Sequence, residues 1–207
     1  MNIPGDFYTR AGKRLCDVGA SVVILVFAAP LMGVCAVAVK LEDGGPVLFH
    51  QQRGGRNGIP FTLYKFRSME VGTHERSGGY PTPAMITRVG AILRRTSLDE
   101  LPQLWNILRG DMSFVGPRPA LLEQIAQYSE HQRQRLLPAP GLTGLAQVRF
   151  RNAAPWSVRI ESDIEYANGP TLRTDLKILM RTLPAAMFGA GQQIGQTAGQ
   201  VDDLGRD

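Results

Sequence analysis

Two adjacent carboxylates, Asp99 and Glu100, lie between an arginine pair, Arg94-Arg95, and a proline, Pro102. Carboxylates in such a setting can attack phosphorus, hold a divalent cation, or do no more than cap a helix. Spacing alone leaves all three open. Arg118 stands between Pro117 and Pro119, whose rings fix the backbone on both sides of it. A guanidinium held that way suits a positioned anion contact, and it equally suits a salt bridge to a core acid. Lys65 and Arg67 occupy an apparent strand and read either as a solvated edge or as phosphate contacts.

Other chemistries are absent from the pattern. The chain has no G-x-G-x-x-G, no P-loop lysine motif, no H-E-x-x-H and no G-x-S-x-G elbow. His50, His74 and His131 are too scattered to suggest a metal site, and Cys16 and Cys35 make neither a disulfide framework nor a C-x-x-C site.

The elements that must position these groups belong to a folded chain. Of its 207 residues 43% are hydrophobic and 20% charged, enough for one domain with a core, or a small domain plus an anchor. The formal charge of +5 suits a polyanionic partner: nucleic acid, an anionic membrane or a phosphorylated substrate. Its cations are mostly arginine, the lysines being Lys13, Lys40, Lys65 and Lys177, and guanidinium is the better bidentate phosphate ligand.

Val18 to Val39 carries no charge and is long enough to span a bilayer as a helix. It is too long for a cleavable signal and lacks a small-x-small site. Pro30, near its middle, removes an amide donor and clashes with the carbonyl of Val26, at a cost of about 3 kcal/mol in a regular helix. Arg10, Lys13 and Arg14 precede the segment; Lys40, Arg53 and Arg56 follow it. Positive flanks on both sides favour one leaflet for both ends, so a broken, re-entrant helix competes with an ordinary kinked span.

Beyond Lys40 the chain turns soluble in character. Val47–Arg53 and Phe61–Phe66, joined by a Gly54–Gly58 turn, predict a β-hairpin. Residues Val71 to Pro83 read as a loop, and Met85 to Leu93 as a short amphipathic run. Ser97 and Glu100 have capping-box spacing, which predicts a helix starting there and stopping at Gly110. Pro119 opens a helix with Leu121, Leu122, Ile125 and Tyr128 on one face. Pro138 to Gly144 is a turn, and helices follow from Pro155 and from Leu172 to Phe188. The last one gathers Leu172, Leu176, Leu179, Met180 and Leu183 on a single face. Three regions result: 1–40 with the membrane segment, 41–188 as a folded domain carrying the acidic pair, and a Gly/Gln-rich tail, 189–207, expected to be disordered.

Ordered blocks add a resemblance. Lys13-Arg14-x-x-Asp17 ahead of the apolar run, Gly45-Pro46-Val47 and Tyr64-Lys65-Phe66-Arg67-Ser68-Met69 are similar to the bacterial sugar transferase family, the monotopic phosphoglycosyl transferases. So are Leu93 to Gln103, Gly110 to Pro119 and Pro140 to Val148. The match runs from Lys13 to Leu183 and resembles the small form of the family. It implies an α+β, mostly helical fold with an N-terminal re-entrant membrane helix, a small β-hairpin or sheet and amphipathic interfacial helices. It also implies an enzyme of the bacterial cytoplasmic membrane, with its catalytic domain on the cytoplasmic face. The resemblance makes Asp99 the nucleophile toward a nucleotide diphosphate sugar, usually UDP-linked, with UMP leaving and a polyprenol phosphate in the membrane as acceptor. Glu100 becomes its partner in metal or proton handling, with Mg²⁺ as cofactor held by Asp99 and Glu100. Lys65, Arg94, Arg118 and Arg151 hold phosphate or substrate, and Pro30 breaks the membrane helix. A homodimer is left open. Three departures stand out: Ala29 where the family often has Ser, Ala139 where it often has Lys, and Arg149-Phe150-Arg151-Asn152 in place of Asn-Gly-Arg-Asn. Without a Ser hydroxyl at Ala29 the helix break must be stabilised otherwise, and the Arg149–Asn152 departure touches sugar or nucleotide preference rather than the reaction class. The competing reading is a membrane-tethered basic binding protein without catalysis.

Overall fold

The computed structural model describes residues 8–73, 82–150 and 154–187. Arg151 and the tail 189–207 lie outside them. The fold is α+β and mostly helical, with one long apolar helix near the N-terminus and two small two-stranded sheets.

Helix α1 runs from Lys13 to Asp43, about 46 Å at helical rise, and is long and apolar enough to cross a membrane. Its stop is local: Gly44 takes the left-handed conformation, φ 72°, and its N–H bonds the carbonyl of Lys40 at 3.0 Å. Pro30 lies inside the helix and does not end it. Only a narrow stripe of α1 meets the rest of the protein. Asp17, Ser21, Cys35 and Val39 are buried, with Leu25, Met32 and Ala36 packed beside them. Val22, Val26, Phe27, Leu31, Val34, Val37 and Leu41 face outward. A water-soluble helix arranges its apolar residues the other way round.

Both ends of α1 are tied to the body. At its start Asp17 accepts from the Phe114 amide at 3.1 Å, Arg14 donates to the carbonyls of Ile107 and Leu108, and Lys13 pairs with buried Asp175. At its end Asp43 accepts from Arg67.

Strands β1, Leu48–Gly54, and β2, Pro60–Phe66, form the expected antiparallel hairpin, with Phe49 opposite Lys65 and Arg53 opposite Phe61. Helix α2, Arg88–Arg95, is capped by the Thr87 hydroxyl, which accepts from Gly90 N at 3.0 Å. Gly90 allows close approach: a Cβ there would lie 2.1 Å from Ser68 O.

The expected capping box does not form. Ser97 is left-handed, φ 56°, and caps nothing, because an N-cap needs extended backbone. Asp99 and Glu100 instead occupy a single 3₁₀ turn, Leu98–Glu100, ahead of helix α3, Gln103–Arg109, which stops as expected at Gly110 (φ 93°).

Strand β3, Ser113–Val115, pairs in parallel with β4, Gly141–Thr143, a pairing not foreseen from the pattern. Helices α4, Leu122–Ala126, and α5, Glu130–Arg133, lie between those strands. Helices α6, Leu145–Phe150, α7, Trp156–Asn168, and α8, Leu172–Met187, follow. In α8 it is Asp175 and Ile178 that point inward. Leu172, Leu176 and Met180 are exposed, alongside exposed Arg173, Lys177 and Arg181. Of the face read from the sequence, Leu172, Leu176 and Met180 are therefore outer and mixed with cations, while Leu179 packs against the core beside Ile178.

Candidate active site

The turn Leu98–Glu100 packs against β2 and the end of α2, which brings Lys65 and Arg94 to the acidic pair. Asp99 is 2% exposed, and its Oδ1 is buried without a hydrogen-bond partner. Burial first, and then the neighbouring Glu100, raise its pKa from 3.8 to about 6, against the opposing pull of Lys65, Arg94 and Arg118. The three cations do not fully offset the lost solvation. Burial likewise lowers Lys65 to about 8, with Asp99 acting in the other direction; its ammonium sits 5.3 Å from the Phe49 ring centre. Arg94 is also lowered, by burial.

Arg118 also reaches the pair, its Nη1 3.9 Å from Glu100 Oε1. The loop presenting it is held at four successive carbonyls. Pro117 O accepts from Gly141 N at 2.8 Å and Arg118 O from Arg135 Nη2 at 3.1 Å. Pro119 O accepts from Arg53 Nη1 at 3.2 Å, and Ala120 O from Gly54 N at 3.0 Å. Behind it, Gly116, Gly141 and Gly144 meet backbone to backbone; a Cβ on Gly116 would stand 2.3 Å from Ala139 O. These contacts fix the loop in place, so little ordering remains when Arg118 grips an anion.

The two candidates on β2 part company. Lys65 faces the acidic pair. Arg67 lies one residue past the strand's end and is 6% exposed, tied to both carboxylate oxygens of Asp43 and to Pro46 O at 2.6 Å. It anchors the end of α1. A cleft of about 650 Å³ opens beside the hairpin, lined by Phe49, Gln51, Arg53, Lys65, Arg94 and Leu121 among others.

Several positioning residues escaped the sequence reading. Fully buried Asn106 accepts from Tyr64 N at 3.1 Å and donates to Thr62 O at 2.7 Å, which ties α3 to the strand carrying Lys65. Arg53 fastens Pro119, and burial and Arg118 lower it to about 10. Arg135, 1% exposed, pairs with Asp163 and bonds Tyr128 while holding Arg118 O. An arginine or asparagine in mid-chain gives no local signal of such partners.

Among the described residues no group of three or more His, Cys, Asp or Glu gathers to hold a metal. Asp99 and Glu100 offer two carboxylates with unused lone pairs. That donor set fits Mg²⁺, which commonly takes one or two protein carboxylates and completes its shell with phosphate and water.

The family described as Bacterial sugar transferase matches residues 8–189. The uncharacterized sugar transferase EpsL of Bacillus subtilis is 40% identical over 181 residues, covering 87% of this chain and 90% of that protein. The UDP-glucose:undecaprenyl-phosphate glucose-1-phosphate transferase of Caulobacter vibrioides is 45% identical over 190 residues, 84% of this chain and 69% of the relative. The undecaprenyl-phosphate galactose phosphotransferase of Salmonella typhimurium is 39% identical over 191 residues, 84% of this chain but 40% of the relative's length.

Proposed function

The chain belongs to the bacterial sugar transferase family, and on that footing we propose that it moves a sugar 1-phosphate from a nucleotide diphosphate sugar, a UDP-sugar, to a membrane polyprenol phosphate through an ester on Asp99. The observation that carries the reading is the Asp99 carboxylate itself: buried, ringed by Lys65, Arg94 and Arg118, yet with an oxygen that bonds nothing. A structural carboxylate is normally satisfied. One with a free oxygen and a raised pKa is a better nucleophile than an ordinary aspartate.

In the first step an Asp99 carboxylate oxygen forms a bond to the β-phosphorus, the bond to the oxygen bridging the α-phosphate breaks, and UMP departs with that electron pair. A polyprenol phosphate oxygen then attacks the same phosphorus, and the Asp99 ester bond breaks to restore the carboxylate. Lys65 and Arg94 neutralise the non-bridging oxygens, and Arg118, held rigidly, balances the departing phosphate. Mg²⁺ bound at Asp99 and Glu100 would supply further charge neutralisation on the diphosphate.

Incubated with Mg²⁺ and UDP-glucose or UDP-galactose but no polyprenol phosphate, the protein should release UMP to at most about one equivalent and then stop. Undecaprenyl phosphate should restart release. A non-catalytic binding protein releases none, and UMP that appears only with both substrates present means direct transfer.

Helix α1 serves the lipid substrate. Its contact stripe runs from Asp17 to Val39, so the domain accompanies it along most of its length. That supports a helix that enters and leaves by the cytoplasmic leaflet, with Pro30 as its bending point, because a domain cannot follow a spanning helix through hydrocarbon. Exposed Cys16 is a native probe of this orientation. In intact spheroplasts a membrane-impermeant thiol reagent should leave Cys16 unlabelled, and labelling should follow permeabilisation. Labelling from the periplasm means a spanning helix.

A further inference from the structure

Arg159, in the first turn of α7, is 5% exposed. Its Nε is buried with no hydrogen-bond partner. Its guanidinium carbon lies over the Trp156 ring, 4.4 Å from the ring centre. The nearest buried carboxylate, Asp163, is already engaged by Arg135. The helix end compounds the imbalance. The N-cap of α7 is Pro155, which has no side-chain acceptor, and its first turn holds no acidic residue. A helix N-terminus is the positive end of the dipole, so a buried cation there is doubly unfavourable unless an anion joins it.

The surroundings place this group beside the catalytic loop. Arg135 donates to Arg118 O and also reaches the Trp156 ring, 5.9 Å from its centre, so one side chain links the Arg118 loop to the ring that Arg159 covers. Burial and then Arg118 lower Arg159 to about 10, against the opposing pull of Asp163. Neither lines the cleft beside the hairpin.

We propose that Arg159, the N-terminus of α7 and Arg118 form a second anion subsite, separate from the Lys65–Arg94 side of Asp99, that takes a phosphate monoester dianion. The inference rests on the transferase reading above. That reaction supplies two such groups, the nucleoside monophosphate that leaves and the polyprenol phosphate that arrives. Both have the same headgroup chemistry, a dianion whose oxygens match a guanidinium fork and helix amides.

The test uses the full-length chain in detergent or nanodiscs, as wild type, Arg159→Lys and Arg159→Met. UMP binding is measured by calorimetry, and the KM for UDP-sugar and the KM for undecaprenyl phosphate are measured separately. Arg159→Met should weaken one monoester by about ten- to a hundredfold, the scale of one charge-assisted hydrogen bond, and Arg159→Lys should recover part of it. Loss of UMP affinity assigns the subsite to the nucleotide; a raised KM for the lipid with UMP binding unchanged assigns it to the acceptor. Thermal stability supplies the readout that a structural role would reverse. Removing an unpaired buried cation should leave the melting temperature unchanged or raised. Unchanged binding and KM values, or a melting temperature lowered by several degrees, would overturn the proposal. Wild type that binds UMP through Arg159 but never turns over overturns the transferase reading and leaves the subsite standing.

Discussion

Asp99→Asn should reduce turnover by at least about 10⁴-fold, since an amide cannot form the ester and is a poorer metal ligand. Mass spectrometry of wild type incubated with UDP-sugar should place a phosphosugar on the peptide holding Asp99, and the variant should carry none. The same variant should be more stable than wild type in metal-free buffer. In the folded protein the Asp99 pKa stands at about 6 against an ordinary 3.8, so the native state holds the proton longer than the unfolded chain does. Stability therefore falls as pH rises through that window, and at pH 7.5 the ionised carboxylate costs on the order of 3 kcal/mol. Asparagine has no such cost. Its melting temperature should exceed wild type by several degrees at pH 7.5, with the gap closing toward pH 4. An adduct on another residue, or near-normal turnover of Asp99→Asn, removes Asp99 from the chemistry.

Gly141→Ala should be among the most destabilising single-methyl additions in the chain. A Cβ at Gly141 would stand 2.1 Å from Gly116 N and 2.4 Å from Thr143 O. Both are backbone atoms, one just past the end of β3 and the other within β4, so neither can rotate aside. To make room β4 must distort and move away from Gly116, which breaks the bond from Gly141 N to Pro117 O and frees the Arg118 loop. A loss of at least about 3 kcal/mol is expected by denaturant unfolding, in the range of severe overpacking. Gly19→Ala is the control. Nothing lies within 4 Å of a Cβ there, and alanine in a helix interior is favoured by up to about 1 kcal/mol. Equal stability of the two variants would show that β3 and β4 are not packed backbone to backbone.

The features legible in the sequence were those that local chemistry dictates. An uncharged run longer than 20 residues forms a helix, and α1 extends beyond both ends of Val18–Val39. The Gly54–Gly58 turn gave the hairpin within a residue of its observed ends, and Gly110 stopped α3 because only a left-handed residue closes a helix that way. The acidic pair between arginines was visible, and so was the rigidity around Arg118. Where spacing stood for geometry, the reading failed. Ser97 and Glu100 are three apart, but the chain reverses at Ser97 and no cap forms.

Tertiary structure decided which of two similar residues meets which partner. Lys65 and Arg67 share a face by strand period, yet β2 ends at Phe66; Lys65 stays aimed at Asp99 while Arg67 turns to Asp43 at the end of α1. The parallel pairing of β3 with β4 depends on chain returning past two helices, and no local pattern encodes that path. The same holds for solvation. Nothing in the local sequence marks Asp99 or Arg159 as buried. Packing alone strips their water, leaving an oxygen and a nitrogen without partners, and a buried charge so placed is stable only when something binds it.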